Sequence, residues 1–580
     1  MHFASADPYT TEMRSGDTCL IWEYPQGCNL RSCRVCVEYN QVSAYVPETI
    51  FRGNVTKVTQ YTDAQNLSGA ISETRKYDIV GNAVTTLSPG DIAKTFTFDL
   101  STQFAYPINQ SIGSSNPSSP TRNTTSVLYD FNTGLPTRTT DANGRNSTIA
   151  YDPKTLRSTI SASASGGYTQ FTYDDLGMST TEELRDANGT LASRTTKYLN
   201  GIGKVNREES LGTGGSVDII ETQYNNLGDV WKKTNPYRSG QTPQWAESQY
   251  DIQGRAGRII EPDGSVSEAF YDEVKRPSSA STKSGKTVRV IDTWGRSRWE
   301  LYDRRNKLVE VVEPDPNGNG DVFEPGNTST KYTFDVLSRL TKTEQGNQTR
   351  SIEYDSLSRV IRQKLAEQTA TLNEAGVYVG SGNSNAKWSE AFWYDARSNV
   401  YLKTDARGVK TNYIYQNNGV DDPLNRLQAI GYDLSGPRDN SITIHNAASI
   451  SYEYMTSGDQ TRIKKTLTAG FLTEDFSYDS EGRVSEFKQT VDYRTSYPMT
   501  TSYIYDTLDR IKETRYPAQY GLAGNPRKVV EQTYDVASRI TSLKVDGQDQ
   551  ASGITYNAAD QAVSVKVGSA GANQITETYS

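Results

Sequence analysis

Four cysteines, Cys19, Cys28, Cys33 and Cys36, fall within eighteen residues and are all the cysteines in a chain of 580. Thiols this close can form two disulfides in any of three pairings, or ligate a structural zinc, or stay free. The last three match the Cys-x4-Cys-x2-Cys part of a plant-type iron–sulfur site, but there the fourth ligand lies downstream and here it lies upstream. Disulfides rank first for an exported chain. A second oxygen-rich stretch runs from Asp315 to Glu324. It places Asp315, Asn317, Asn319 and Asp321 at alternate positions with Gly320 at the sixth, as a calcium loop does. Its twelfth position is Gly326 rather than a bidentate glutamate, and a turn built of Asn, Gly and Pro is the plainer reading. Only His2 and His445 exist, which leaves little room for histidine-based catalysis. Carboxylates abound, but mostly at one fixed position of a recurring turn. No catalytic, cofactor or metal residue is therefore assigned, no cofactor is expected, and the chain reads as a non-enzyme.

The recurring turn leads back to the elements that carry it. Residues 334–340 read Phe-Asp-x-Leu-Ser-Arg-Leu, and residues 354–360 repeat the phrase as Tyr-Asp-x-Leu-Ser-Arg-Val. Aromatic–Asp pairs or close substitutes stand at roughly nineteen positions, among them Tyr129, Tyr151, Tyr173, Tyr250, Tyr271, Tyr478 and Tyr534, with spacings clustered at 20 to 22. A period of that size marks one supersecondary unit stacked many times. Before the Asp, aromatic residues alternate, as at Phe171 and Tyr173 or Tyr503 and Tyr505, and a period of two predicts strands. After it comes turn chemistry: Asp78 to Gly81, Asp174 to Gly177, Asp251 to Gly254, Asp292 to Gly295 and Asp479 to Gly482 all read Asp-x-x-Gly. Copies with Ser338, Ser358, Ser538 or Asp509 at the fourth position are expected to turn slightly differently, because positive φ is costly without glycine. A return strand and a second turn, such as Asp141 to Gly144, complete one β-hairpin of about 21 residues. Two longer intervals, Asn109 to Ser126 and Leu365 to Lys387, read as loops inserted into the unit.

Thirty-eight strands at about 4.8 Å each would make a wall about 180 Å wide, and open twisted sheets rarely exceed about ten strands without curling. The fold is expected to be all-β: repeated hairpins in a wide, curved antiparallel sheet that spirals. Residues 1–50 form a cysteine-containing non-repeat segment, and 51–580 form the array. Tyr579 falls where another anchor would stand, so the array is expected to run on past Ser580. Net charge is −8 at pH 7 with basic residues dispersed, which argues against a nucleic-acid groove. No apolar run approaches a membrane span, and the first residues lack the charged and apolar regions of a signal peptide.

The Tyr-Asp-x-x-Gly-Arg-apolar unit resembles the YD or RHS repeat family of bacterial Rhs proteins, the cocoon components of insecticidal toxin complexes and the teneurin shell. The resemblance covers roughly Phe51 to Ser580. It implies a spiral β-sheet forming part of a hollow shell, secreted or on the cell surface, that encapsulates or presents a C-terminal effector or toxin domain absent from this chain; the implied partner is that effector or the rest of the shell. Paired Asp-Pro-x-Gly self-cleavage elements of some members are missing here. The competing reading is a secreted adhesion or carbohydrate-binding protein that meets cell-surface glycans or proteins through Tyr378, Trp388 and Trp245.

Overall fold

The computed structural model describes residues 54–579 in full, apart from Ile79, Asp91, Pro117, residues 442–447 and residues 572–573, and adds the backbone of Ile21–Glu23, Val35–Gln41 and residues 51–53. His2, His445, Cys19, Cys28 and Cys33 lie outside the described residues, and Cys36 is described in its backbone alone.

Among the described residues, 43 strands join in one sheet, and a small hairpin, Gln416–Asn417 with Val420–Asp421, stands beside it. Neighbouring strands are antiparallel and nearly always consecutive in the chain. Thr328–Phe334 pairs with Leu340–Gln345, that with Gln348–Tyr354, and that with Val360–Lys364. The ladder also runs across residue 50, since Val35–Gln41 pairs with Phe51–Asp63. An all-β array of hairpins is what the alternation of aromatic and polar residues demands.

Most aromatic–Asp turns carry a register slip at the aromatic residue, although Tyr173 and Tyr271 pair through without one. Tyr354 faces Val360 while Glu353 faces Arg362, so Ile361 is left over; the same slip recurs at Tyr250, Tyr394, Tyr478, Tyr505 and Tyr534. A β-bulge bends its strand and increases the right-handed twist. Repeated in most hairpins, it bends the wide sheet again and again, which is how a ribbon of this length winds.

Two expectations need correction. Asn109 to Ser126 is not an inserted loop: Asn109–Ser114 pairs with Arg122–Tyr129 in the ladder, because Gln110, Ile112, Thr124 and Ser126 extend as readily as they would loop. Asp292 to Gly295 has the Asp-x-x-Gly spelling but joins Lys286–Ile291 to Ser297–Tyr302 on the opposite edge of the ribbon, since residues 272–285 fill the aromatic-side turn. Leu365 to Lys387 is an insertion as expected, folded over a fully buried Leu372 that bridges to Tyr378 and Trp388.

The wall is one sheet thick, so full burial is rare. Its densest point is a cluster of Trp299, Leu301, Val312 and Val322, with Ala280 and Phe323 packed against it.

Candidate functional site: latch and seam

The repeated phrase spells a latch. In the turn from Asp335, the Oδ1 atom accepts the Leu337 and Arg339 N–H groups at 2.9 Å each, and Oδ2 accepts Arg339 Nε at 2.6 Å. Arg339 then reaches forward. Its Nη1 donates to the Asp355 carbonyl at 2.8 Å and to Ser358 Oγ at 3.3 Å, and its guanidinium lies 4.8 Å from the Tyr354 ring centre. Tyr354 completes the circuit by donating its hydroxyl to the Leu340 carbonyl at 2.9 Å. Arg359 repeats the arrangement onto Tyr394 and Ser398, Arg483 onto Tyr505 and Asp509, and Arg510 onto Tyr534 and Ser538. Each of these hairpins is thus tied to the next by a charge-assisted bond, a cation–π contact and a phenol hydrogen bond, whereas at Tyr129 and Tyr151 the phenol bond stands alone.

This also corrects the expectation about non-glycine turns. Ser338, Ser358, Ser538 and Asp509 adopt φ of 64°, 65°, 60° and 63°, close to the 72° of Gly482, so the turn is unchanged. At Ser358, Ser538 and Asp509 the side chain receives the preceding repeat's arginine, a bond that glycine could not accept and that offsets the left-handed strain.

The latch has an electrostatic signature. Burial pushes the Asp335 carboxyl upward, but the Arg339 N–H, its guanidinium and the Leu337 N–H outweigh that and hold it below the ordinary range. The phenols go the other way. Burial raises Tyr354, Tyr394, Tyr478, Tyr505, Tyr534 and Tyr556, and takes Tyr454 up to about 12. A group whose pKa is higher folded than unfolded contributes stability that is complete below the unfolded value, about 10, and is lost as pH climbs through the folded one. The wall is therefore expected to hold at about pH 9 and to open between about pH 10 and 12. Tyrosinate absorbance and far-ultraviolet circular dichroism should change together. Tyrosinate forming near pH 10 with the β signal intact would count against phenols as structural ties.

The second feature is a seam between parts of the chain far apart in sequence. Ala64 N–H donates to Ser356 Oγ at 3.1 Å, and the Ser356 N–H to the Thr62 carbonyl. Further along, Gln460 N–H donates to Asn123 Oδ1, Arg145 to the Glu481 carbonyl, Ala187 N–H to Thr507 Oγ1, Arg539 to Thr213 Oγ1, and Arg238 to the Tyr556 carbonyl. Together with Ser165, whose hydroxyl donates to Asp509, these partners are 292 to 344 residues apart. The contacts from residues 62–238 come from turns on the return side of their hairpins or the strand ends beside them, and those from residues 356–560 come from aromatic–Asp turns or the strand ends beside them. The ribbon has made one revolution, and the edge of its second wind is stitched onto the opposite edge of the first.

The remaining residues singled out from sequence do not converge on a site. In the Asp315 to Glu324 loop the oxygens face the loop's own donors: Asp315 Oδ1 accepts Asn317 N–H, Asn319 Oδ1 accepts Asp321 N–H, and Asp321 Oδ1 accepts Phe323 N–H. The loop instead inserts Val322 into the Trp299 cluster. Among the described residues no group of three or more His, Cys, Asp or Glu is placed to hold a metal. Glu310, almost wholly buried, accepts from Ser281 N–H and from Ser329 Oγ at 2.6 Å, which anchors the 272–285 loop. Tyr378, Trp388 and Trp245 are half-buried, and Trp388 Nε1 is taken by Glu374 at 3.0 Å. None offers a bare ring to a sugar. Among the described residues no helix is long and apolar enough to cross a membrane.

No family model matches the chain, and no curated protein matches it. It is similar to a chain in the crystal structure of TcdB2-TccC3, at 12% identity and a TM-score of 0.63, over 94% of this chain and 32% of that one. It is likewise similar to TcdB2-TccC3 without the hypervariable C-terminal region, at 10% identity and a TM-score of 0.58, over 98% and 38%. The chain spans about a third of the length of these structures. At such identities the likeness is one of fold: a wound β-wall of the YD/RHS-shell kind.

Proposed function

We propose that this chain is a length of shell wall whose work is mechanical: it encloses or presents an effector domain encoded beyond the array, outside the producing cell, and carries no catalytic activity of its own. The observation that supports this most directly is the seam. A ribbon that returns after one revolution and bonds edge to edge makes a continuous curved barrier, whereas a ribbon serving only as a display platform has no need to close. The similarity of fold to the TcdB2-TccC3 structures adds to it.

Limited proteolysis of the longest polypeptide encoded by the reading frame tests the proposal. Sequence downstream of the array should resist protease until denaturant or alkali opens the wall, then be degraded at the rate of the same segment expressed alone. Equal cleavage rates in the intact protein and in the isolated segment would overturn it, as would a reading frame with no downstream domain.

A further inference from the structure

The turn that follows Tyr415 departs from the others. Its aspartate is Asp422, whose N–H donates to the Tyr415 carbonyl, and residues 416–421 stand between the ring and the carboxylate. They fold as the small separate hairpin, with Gln416 facing Asp421 and Asn417 facing Val420. The latch is complete without this insert. Arg426 holds Asp422 and lies 4.8 Å from the Tyr454 ring centre, and Tyr454 donates to the Leu427 carbonyl. The preceding turn departs too. Asn399 takes the place of the latch arginine on Asp395, and Arg397, at the turn's tip, crosses the seam to lie against Gly90 of the first wind.

Between these two departures, beside the seam, is a cavity of about 350 Å³, lined by Tyr401, Tyr413 and Tyr415 together with Asn412 and the insert. That size is at the lower end of the range for small-molecule sites, about 300–1,000 Å³. Phenols of the latch are already engaged: Tyr394 and Tyr454, in the repeats on either side, donate to the Val360 and Leu427 carbonyls. Among the described residues, the hydroxyls of Tyr401, Tyr413 and Tyr415 and the side-chain amide of Asn412 meet no hydrogen-bonding partner. The charged groups, by contrast, are satisfied within the protein. Arg397 stands 3.5 Å from Asp395 and 3.4 Å from Asp421, Asp395 also accepts the Asn399 amide, and Asp421 also accepts Gln416 Nε2 at 2.8 Å. The cavity therefore calls for neither an anion nor a cation. We propose that it binds a neutral sugar. Groups that both donate and accept pair best with hydroxyls that do the same, and a tyrosine face covers the apolar side of a sugar ring. Tyr401, 44% exposed, is the ring open to it. The proposal goes beyond the wall reading and holds whatever the wall encloses.

Saturation-transfer NMR on the purified chain tests it, with the methyl glycosides of glucose, galactose, mannose and N-acetylglucosamine as probes. At least one should bind with a dissociation constant of about 10 mM or tighter. Tyr401→Ala should weaken that binding about tenfold or more, as should Tyr413→Phe combined with Tyr415→Phe, which removes two hydroxyls and keeps both rings. Those hydroxyls tie nothing in the wall, so circular dichroism and thermal unfolding of the phenylalanine pair should match the wild type. Tyr493→Ala removes an exposed ring elsewhere and should leave binding unchanged. Tetramethylammonium and inorganic phosphate, the charged probes, should not displace the glycoside. The proposal is overturned if no glycoside binds at about 10 mM, if the Tyr401 variant or the phenylalanine pair binds as the wild type does, if Tyr493→Ala weakens binding equally, or if either charged probe competes.

Discussion

Arg539→Ala should destabilise the second wind by about 3–5 kcal/mol, the usual consequence of removing one partner of a buried ion pair. Asp535 is only 6% exposed at its side chain, and Arg539 is its cation, with Nε at 2.9 Å and Nη2 at 2.8 Å from Oδ2. Nη1 also holds Asp560 of the next turn, Nη2 holds Thr213 across the seam, and the guanidinium covers the Tyr556 ring at 4.7 Å. Deletion thus strands a buried carboxylate, frees one hairpin and cuts one stitch of the seam. Arg539→Lys keeps the charge without the planar fork and should recover only part of the loss. Arg296→Ala is the control, because Arg296 and Asp292 form the same i,i+4 pair with side chains 63% and 40% exposed, and such a pair contributes about 1 kcal/mol or less. Long repeat arrays need not unfold in one step. Amide hydrogen exchange in Arg527–Tyr534 and Gln548–Tyr556 is therefore the measurement, and equal loss of protection in the alanine variants of Arg539 and Arg296 would refute the latch.

The latch was half legible in the sequence. Asp as a turn acceptor follows from its position before two free N–H groups, and Asp335, Asp355 and Asp535 all act so. Hairpins follow from aromatic residues spaced two apart. What could not be read is where the arginine goes, because Arg339 and its targets Tyr354 and Ser358 sit in different repeats and meet only once strands pair. The signal was nevertheless present, since serine or aspartate replaces glycine where the preceding repeat supplies an arginine, as at Ser358, Ser398, Asp509 and Ser538. The bulge was missed because counting strands says that a wide sheet must curl and does not say at which residue. The seam was out of reach: Ala64 and Ser356 carry no common motif, and their meeting depends on the bend summed over a whole revolution. In the loop from Asp315 the spacing of oxygens was ambiguous, because alternate oxygens satisfy a turn's own N–H groups as well as they satisfy a cation, and here Asp315 and Asn319 each accept an N–H two residues on.

Gly167→Val should open the seam while leaving the ladder intact. A Cβ at Gly167 would stand 2.6 Å from the Thr507 carbonyl oxygen and 2.7 Å from Leu508 Cδ2, both in the second wind. The carbonyl belongs to a turn held by the Arg510 bonds to Asp506 and cannot swing aside as a long side chain would. Overpacking of this sort costs about 1–3 kcal/mol, and here the cheapest relief is separation of the two edges, because the seam is made of scattered single bonds and the ladder is continuous. The Ala187 N–H, which donates to Thr507 Oγ1 at 3.1 Å, should lose its protection from exchange, as should the Gln460 N–H bonded to Asn123. Amides within Tyr168–Asp174 should keep theirs, since their partners in Ser179–Arg185 are untouched. Gly201→Val is the matched control: it lies in an aromatic–Asp turn of the first wind with nothing within 4 Å of its added Cβ. If both variants behave alike, the contacts across 292 to 344 residues do not hold the winds together, and the wall reading fails with them.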